Sequence, residues 1–342
     1  MTTQLMPAEW ARHAATWIAW PHNESDWPGK FAPIRWVYGE FVRALARHER
    51  VRILVADAAV EAEARATLEL VGAGDNWDLV RAPSNRSWTR DTGPLFVTRD
   101  GRKLATHWRF NAWAKYDDWQ LDATVAPTIA RAAGVDCVTV EAAGAPVVLE
   151  GGAIDVDGQG TLLATEECLC DTVQARNPAL SRVELEAILH RQLGAERVVW
   201  LGRGIAGDDT HGHIDDLARF VAPGRVVLCQ ESDANDDNYR ALAENRERLE
   251  GARDARGRAL EVIALPMPRP LAFEGRRLPA SYANFYIAND VVLAPTFNDP
   301  ADRRALGILA ELFPTREIVG LHCVDLVWGL GTLHCMTQQE PA

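Results

Sequence analysis

Gly207-Asp208-Asp209-Thr210-His211-Gly212-His213-Ile214-Asp215-Asp216 is a run dense in acid–base groups, set between two short apolar runs at 197–201 and 225–230. Those flanking runs have the length and composition of strands, and the pattern continues outward in both directions. Strands are expected at 16–20, 51–56, 77–81, 104–110, 161–165, 197–201, 225–230, 260–265, 290–294 and 317–320. Between them fall amphipathic stretches. Ile34, Val37, Phe41 and Leu45 space one helical face, and Ser181 with Glu184 forms a capping box opening a helix over 182–193. Further helices are expected at 236–251 and 301–313. Alternation of this kind defines an α/β protein.

Four other polar segments are as chemically loaded as this one: those around Asp91, Glu150, Asn284 and Cys335. With His213 they recur at intervals of about 60 residues, which suggests a strand–strand–helix–strand unit used five times at about 68 residues each. The alternative, a doubly wound sheet, would call for a glycine-rich phosphate fingerprint, and neither GxGxxG nor GxxxxGK[ST] occurs. No linker-like stretch interrupts the 342 residues, so a single catalytic domain over 1–342 is expected.

With 47% hydrophobic and 25% charged residues the chain is globular in composition. Its net charge of −12 disfavours nucleic acid or an anionic membrane as partner and suits a cationic small molecule. No run reaches the ~18 apolar residues of a membrane span, and the start lacks a signal-peptide pattern, so a cytoplasmic location is expected. The six cysteines form no CxxC pair, and at most one is expected to matter chemically. A homo-oligomer is compatible with all of this and not implied by it.

The opening run admits two readings. His211, His213 and Asp215 match a His-x-His-x-Asp metallohydrolase pattern, although the remaining histidines supply no comparable pair of ligands. Alternatively, His213 and Asp215, two residues apart on extended chain, face one cleft and divide proton transfer from cation binding, with no metal and no cofactor. Asp91, in Trp88-Thr89-Arg90-Asp91-Thr92-Gly93-Pro94, could be a turn residue or a carboxylate for a planar cation beside an aromatic wall. Glu150 precedes Gly151-Gly152, where backbone can pass close to a ligand. Cys335 follows Gly329-Leu330-Gly331, unlike the usual core cysteine.

Taken together, these segments resemble the agmatine deiminase and bacterial-type peptidylarginine deiminase family of guanidino-group-modifying hydrolases. The resemblance runs nearly end to end: Trp20-Pro21-His22-Asn23, Asp26-Trp27-Pro28, WTRDTGP, Phe110-Asn111-Ala112-Trp113, LEGGAIDVDGQGTLLAT, Arg176-Asn177-Pro178, GDDTHGHIDDLARF, Ser281-Tyr282-Ala283-Asn284-Phe285-Tyr286 and HCMTQQEPA. It implies a pseudo-fivefold α/β propeller around a central active-site cavity. It further implies Cys335 as nucleophile, His213 as general acid/base, Asp91 and Asp215 as the guanidinium-binding carboxylates, and Glu150 as the residue orienting the histidine; His334 receives no such role and reads as structural. Two positions depart from the family pattern: His211, often Asp, and Leu330, which interrupts a glycine run.

For a small diamine-type substrate, Trp88 and Trp113 are the expected aromatic walls and the mouth is expected to carry net negative charge. Discrimination against free arginine would then be roughly 10²-fold. A thiol among three carboxylates should ionise reluctantly until a cationic substrate arrives. Peptidylarginine, or another small guanidino compound, is the alternative substrate within the same chemistry.

Overall fold

A computed structural model describes residues 4–342. Five sheets share one pairing order: an antiparallel pair, a helical connection, then a strand parallel to the second. They are Leu95–Arg99, Arg102–His107 and Cys137–Thr139; Asp155–Val156, Thr161–Thr165 and Arg197–Leu201; Ala218–Ala222, Arg225–Gln230 and Glu261–Pro266; Tyr286–Ile287, Val291–Thr296 and Glu317–His322; and Thr337–Pro341, His13–Ala19 and Val51–Val55. The helices Val125–Ala133, Arg182–Leu193, Asn238–Glu250, Ala301–Leu312 and Phe31–Leu45 fill the crossovers. In the fifth sheet the last strand of the chain pairs with one of the first, Trp17 facing Gln338, which brings Cys335 back beside the N-terminal segment.

Each polar segment lies a few residues before the first strand of a unit: Asp91 before Leu95–Arg99, Glu150 before Asp155–Val156, His213 before Ala218–Ala222, Asn284 before Tyr286–Ile287 and Cys335 before Thr337–Pro341. The repeat therefore delivers five chemically loaded loops at equivalent points.

Local signals account for much of this. The capping box at Ser181 and Glu184 forms as expected, and Gly194, left-handed at φ 72°, ends that helix. Strands at Trp77–Arg81, Thr161–Thr165, Arg197–Leu201 and Arg225–Gln230 match their expected bounds. Two helices, Ala58–Leu70 and Val125–Ala133, and several first strands of the units were not marked by their periodicity. Thr337–Pro341 is the clearest case: its sequence Thr-Gln-Gln-Glu-Pro is polar, yet every residue is buried. Glu340 and Gln339 there are satisfied by distant partners: Glu340 accepts from Trp17 Nε1 at 2.9 Å and Lys103 Nζ at 2.7 Å, and Gln339 Oε1 from Arg90 Nη1 at 2.7 Å. Among the described residues no helix is long and apolar enough to cross a membrane.

Candidate active site

A cavity of about 280 Å³ is lined by Trp88, Asp91, Trp113 and Cys335, with Asp26, Arg86, Asp209 and Arg276 also on its lining. His213, Asp215 and Glu150 lie one contact deeper, essentially without solvent exposure. A larger groove of about 900 Å³, near Glu167, Arg203 and Arg248, is open to solvent and holds none of these groups.

Asp91 sits in the one-turn helix Thr89–Thr92, not in a turn that serves itself. Its Oδ2 accepts from Trp113 Nε1 at 2.8 Å and its Oδ1 from the Gly152 backbone N–H at 3.0 Å. Burial pushes its carboxyl up to about 6, with Asp215 and Glu150 adding to the rise and His213 opposing it. Trp113 is therefore a hydrogen-bond donor as well as a wall, in left-handed backbone at φ 58°. Trp88 is purely a wall, packed on Trp27 with ring centroids 5.3 Å apart. The glycine at 152 is required: a Cβ there would lie 2.5 Å from His213 Nδ1 and 2.9 Å from Asp91 Oδ1.

His213 is set by the loop that precedes it. Asp208 Oδ1 accepts from Thr210 N–H at 2.8 Å, and its Oδ2 from the N–H groups of Gly212 and His213 at 2.8 and 3.1 Å. The ring itself is left open, with Nδ1 3.9 Å from both Asp91 Oδ2 and Asp215 Oδ1 and Nε2 4.0 Å from Glu150 Oε2. Burial alone would drive the imidazole toward its neutral form, but Asp91, Cys168 and Asp215 together hold its pKa well above the ordinary value. Glu150 makes no hydrogen bond to the ring; its Oε1 instead accepts from Arg176 Nε at 3.0 Å, so the Arg-Asn-Pro motif anchors the carboxylate of the Glu-Gly-Gly motif.

Cys335 Sγ receives Asn284 Nδ2 at 3.1 Å and lies 3.6 Å from Asp215 Oδ2. Burial, then Asp215, Asp216 and Asp91, push the thiol well above its ordinary pKa, with Asn284 opposing. Asp215 is held below the usual carboxylate range: burial would raise it, but the bond and charge of His334 and the charges of His213 and Arg219 prevail.

The site thus brings together Cys335, His213, Asp91, Asp215 and Glu150, with Trp88 and Trp113 as walls. His211 is not among them. Its Nε2 points to Asp171 Oδ2 at 3.5 Å, and of the two clusters of metal-type donors among the described residues, Glu150-Cys168-His213 and Asp215-Asp216-Cys335, neither includes it. The His211-His213-Asp215 ligand set of the metal reading does not converge. The charged groups on the cavity lining are Asp26, Asp91 and Asp209 against Arg86 and Arg276.

Residues the sequence reading passed over are Asn284 as a contact of the thiol, Cys168 behind His213, and Glu9, which accepts from the Ile287 N–H at 2.8 Å deep beneath the site. Asn284 alone had a signal, its place in the five-segment spacing.

A buried thiol, an open imidazole and two carboxylates around a narrow cavity are a set of groups chemically able to serve covalent catalysis on a small cation. Residues 5–341 match the family model described as Porphyromonas-type peptidyl-arginine deiminase. The chain is 40% identical to an agmatine deiminase of Stutzerimonas stutzeri, covering 98% of this chain and 95% of that one. Among solved structures, the agmatine deiminase of Enterococcus faecalis superposes with a TM-score of 0.92 at 33% identity, covering 99% and 96% of the two chains. A Campylobacter jejuni agmatine deiminase with substrate bound gives 0.89 at 27% identity, covering 100% and 97%. The chain belongs to the Porphyromonas-type peptidyl-arginine deiminase family.

Proposed function

We propose that the protein hydrolyses the guanidino group of agmatine, giving N-carbamoylputrescine and ammonia as a step of polyamine metabolism in the cytoplasm, without metal or cofactor. One observation carries the reading: the buried carboxylates Asp91 and Asp215 stand beside the Cys335 thiol, and Asp215 Oδ1 lacks a partner. A buried acceptor is rarely left empty, and a guanidinium, planar and rich in N–H donors, suits it. The five units, arranged as a propeller, would present their loops around this one ligand.

Asp91 and Asp215 hold the guanidinium plane by charge-assisted bonds and present its carbon to Cys335. Their charges, which raise the thiol in the free protein, are offset once the cation binds. The Sγ–H proton then leaves to solvent, the thiolate attacks the carbon, and protonated His213 gives its proton to the departing nitrogen, which leaves as ammonia. Neutral His213 next takes a proton from water, whose oxygen attacks the thiouronium carbon. Collapse breaks the C–S bond, releasing the ureido product and regenerating the thiolate.

Because Arg86 and Arg276 are on the cavity lining, an α-carboxylate finds cationic partners there. This favours arginine, free or in a peptide, as the second reading, and the preference for agmatine over free arginine is expected nearer tenfold than 10²-fold. Ammonia release from agmatine, arginine and a peptidylarginine decides it: agmatine should give the highest kcat/KM, and a peptide that equals it overturns the assignment. EDTA should leave the rate unchanged; inactivation restored by zinc would return the metal reading.

A further inference from the structure

We propose that His334 is a positioning residue, its ring spanning Asp215 and Glu9 and thereby fixing the carboxylate that grips the substrate. The inference rests on the guanidino-hydrolase reading of the site. His334 Nδ1 lies 2.6 Å from Asp215 Oδ2, and Nε2 lies 2.8 Å from Glu9 Oε2. All three side chains are buried. A neutral imidazole has one donor and one acceptor, whereas both ring nitrogens here face carboxylate oxygens. Both bonds are made at once when the ring carries two protons, and each is then charge-assisted.

The anchor at the far end is rigid. Glu9 Oε1 accepts from the Ile287 N–H at 2.8 Å and lies 2.9 Å from Arg219 Nη2, while Oε2 also accepts from Arg90 Nη2 at 3.3 Å. Arg219 is tied in turn to Asp155 and to the Phe285 carbonyl at 2.8 Å. Glu9 stays ionised: burial would raise it, but Arg219 and His334 hold its carboxyl well below the usual range. At the near end, the bond from His334 occupies Asp215 Oδ2 and leaves Oδ1 as the free acceptor. The His334 N–H, donating to Asn284 Oδ1 at 3.0 Å, fixes the backbone from which both the ring and the neighbouring Cys335 project. A carboxylate that must meet one face of a planar cation is thus prevented from rotating, with Oδ2 held beside the thiol and Oδ1 left for the ligand.

Asparagine and glutamine separate the two bonds. The amide nitrogen of Asn falls near the position of Nδ1, and that of Gln near Nε2. His334→Asn should therefore keep the donor to Asp215, with KM for agmatine within about fivefold of wild type. His334→Gln keeps only the donor to Glu9, and its kcat/KM should fall roughly 10²-fold, mainly through KM, at a similar thermal midpoint. If either protein fails to fold, Glu9→Gln reads the same link with His334 in place, and KM should rise about threefold to tenfold. Equal impairment of the Asn and Gln variants, or an unchanged KM in Glu9→Gln, overturns the positioning role while wild type stays active. A wild type that neither binds nor turns over agmatine, arginine or peptidylarginine overturns the reading of the site itself.

Discussion

Two buried histidines sit on opposite sides of Asp215 and are treated in opposite ways. His334 has a carboxylate at 2.6 Å on one ring nitrogen and at 2.8 Å on the other. His213 has nothing nearer than 3.9 Å among the carboxylates around it, and its Nε2 is unpartnered. Saturating both nitrogens with partners inside the protein makes a fixed strut, while leaving them open makes a group that can exchange protons with a ligand. The same contrast divides the carboxylates. Glu9 is fully engaged, whereas Asp215 and Glu150 each keep one oxygen free. Glu9 and His334, which hold the site, are satisfied in the free protein, and His213, Asp215 and Glu150 are left with an open atom; Asp91 departs from this pattern, its two oxygens already accepting from Trp113 and Gly152.

The largest effects should come from removing the working groups. Cys335→Ala should abolish ammonia release while agmatine still binds by calorimetry, and retention of even a small fraction of wild-type kcat would exclude Cys335 as nucleophile. His213→Gln should lower kcat about 10²- to 10⁴-fold with an intact fold by circular dichroism. Loss confined to KM would move His213 to the strut side of the comparison.

Asp91→Asn and Asp215→Asn should each cost about 2–4 kcal/mol of transition-state stabilisation, read as kcat/KM. If the strut matters, the Asp215 variant will be the more damaging of the two, because it also leaves the ring of His334 facing an amide. Equal, mild effects would make the two carboxylates interchangeable.

The pH profile tests the electrostatics. Asp91 must be ionised to hold the cation, and burial sets its carboxyl at about 6, so kcat/KM should fall as pH drops through that value. A bound guanidinium favours the ionised form, so the acid limb of kcat should lie at lower pH than that of kcat/KM. Coincident limbs would show that Asp91 does not feel the substrate charge. The same burial has a consequence for stability. Asp26 and Asp91, both raised to about 6, and Asp122, raised to about 7, bind a proton more tightly folded than unfolded. Their contribution is fully present below the ordinary carboxyl pKa and is lost as pH rises through 6 to 7. The thermal midpoint attributable to these groups should thus fall across that window, and saturating agmatine should reverse the part due to Asp91.

Leu330→Gly is expected to change least. Leu330 lies at φ 68° and lines the cavity, a left-handed conformation that disfavours a side chain. Relief of that strain and loss of partial burial nearly offset, so stability should move by less than about 1 kcal/mol. The wider opening should raise turnover of peptidylarginine a few-fold relative to agmatine. An unchanged ratio would remove Leu330 from the mouth's selectivity.

Much of the architecture was legible because it is encoded locally. The apolar runs 161–165, 197–201 and 225–230 are strands at their expected bounds, and Ser181 with Glu184 opens its helix. The grouping of Cys335, His213, Asp91, Asp215 and Glu150 was legible through the resemblance of their motifs to the family, whereas each segment alone also read as a plain turn or polar loop. What the sequence determined by itself was the order of elements, the placement of five reactive loops, and the family to which their motifs belong. Partnership was decided only by the tertiary structure. Thr337–Pro341 is polar in composition and wholly buried, with Trp17, Lys103 and Arg90 coming from distant segments to satisfy Glu340 and Gln339. His334 and His213 are chemically identical side chains, and nothing local separates strut from acid–base group. That distinction lies in Glu9, 325 residues from His334 along the chain yet within hydrogen-bond reach in space. Hydrogen bonding and desolvation act through distance in space, so the roles of buried polar groups are fixed only when the chain closes on itself.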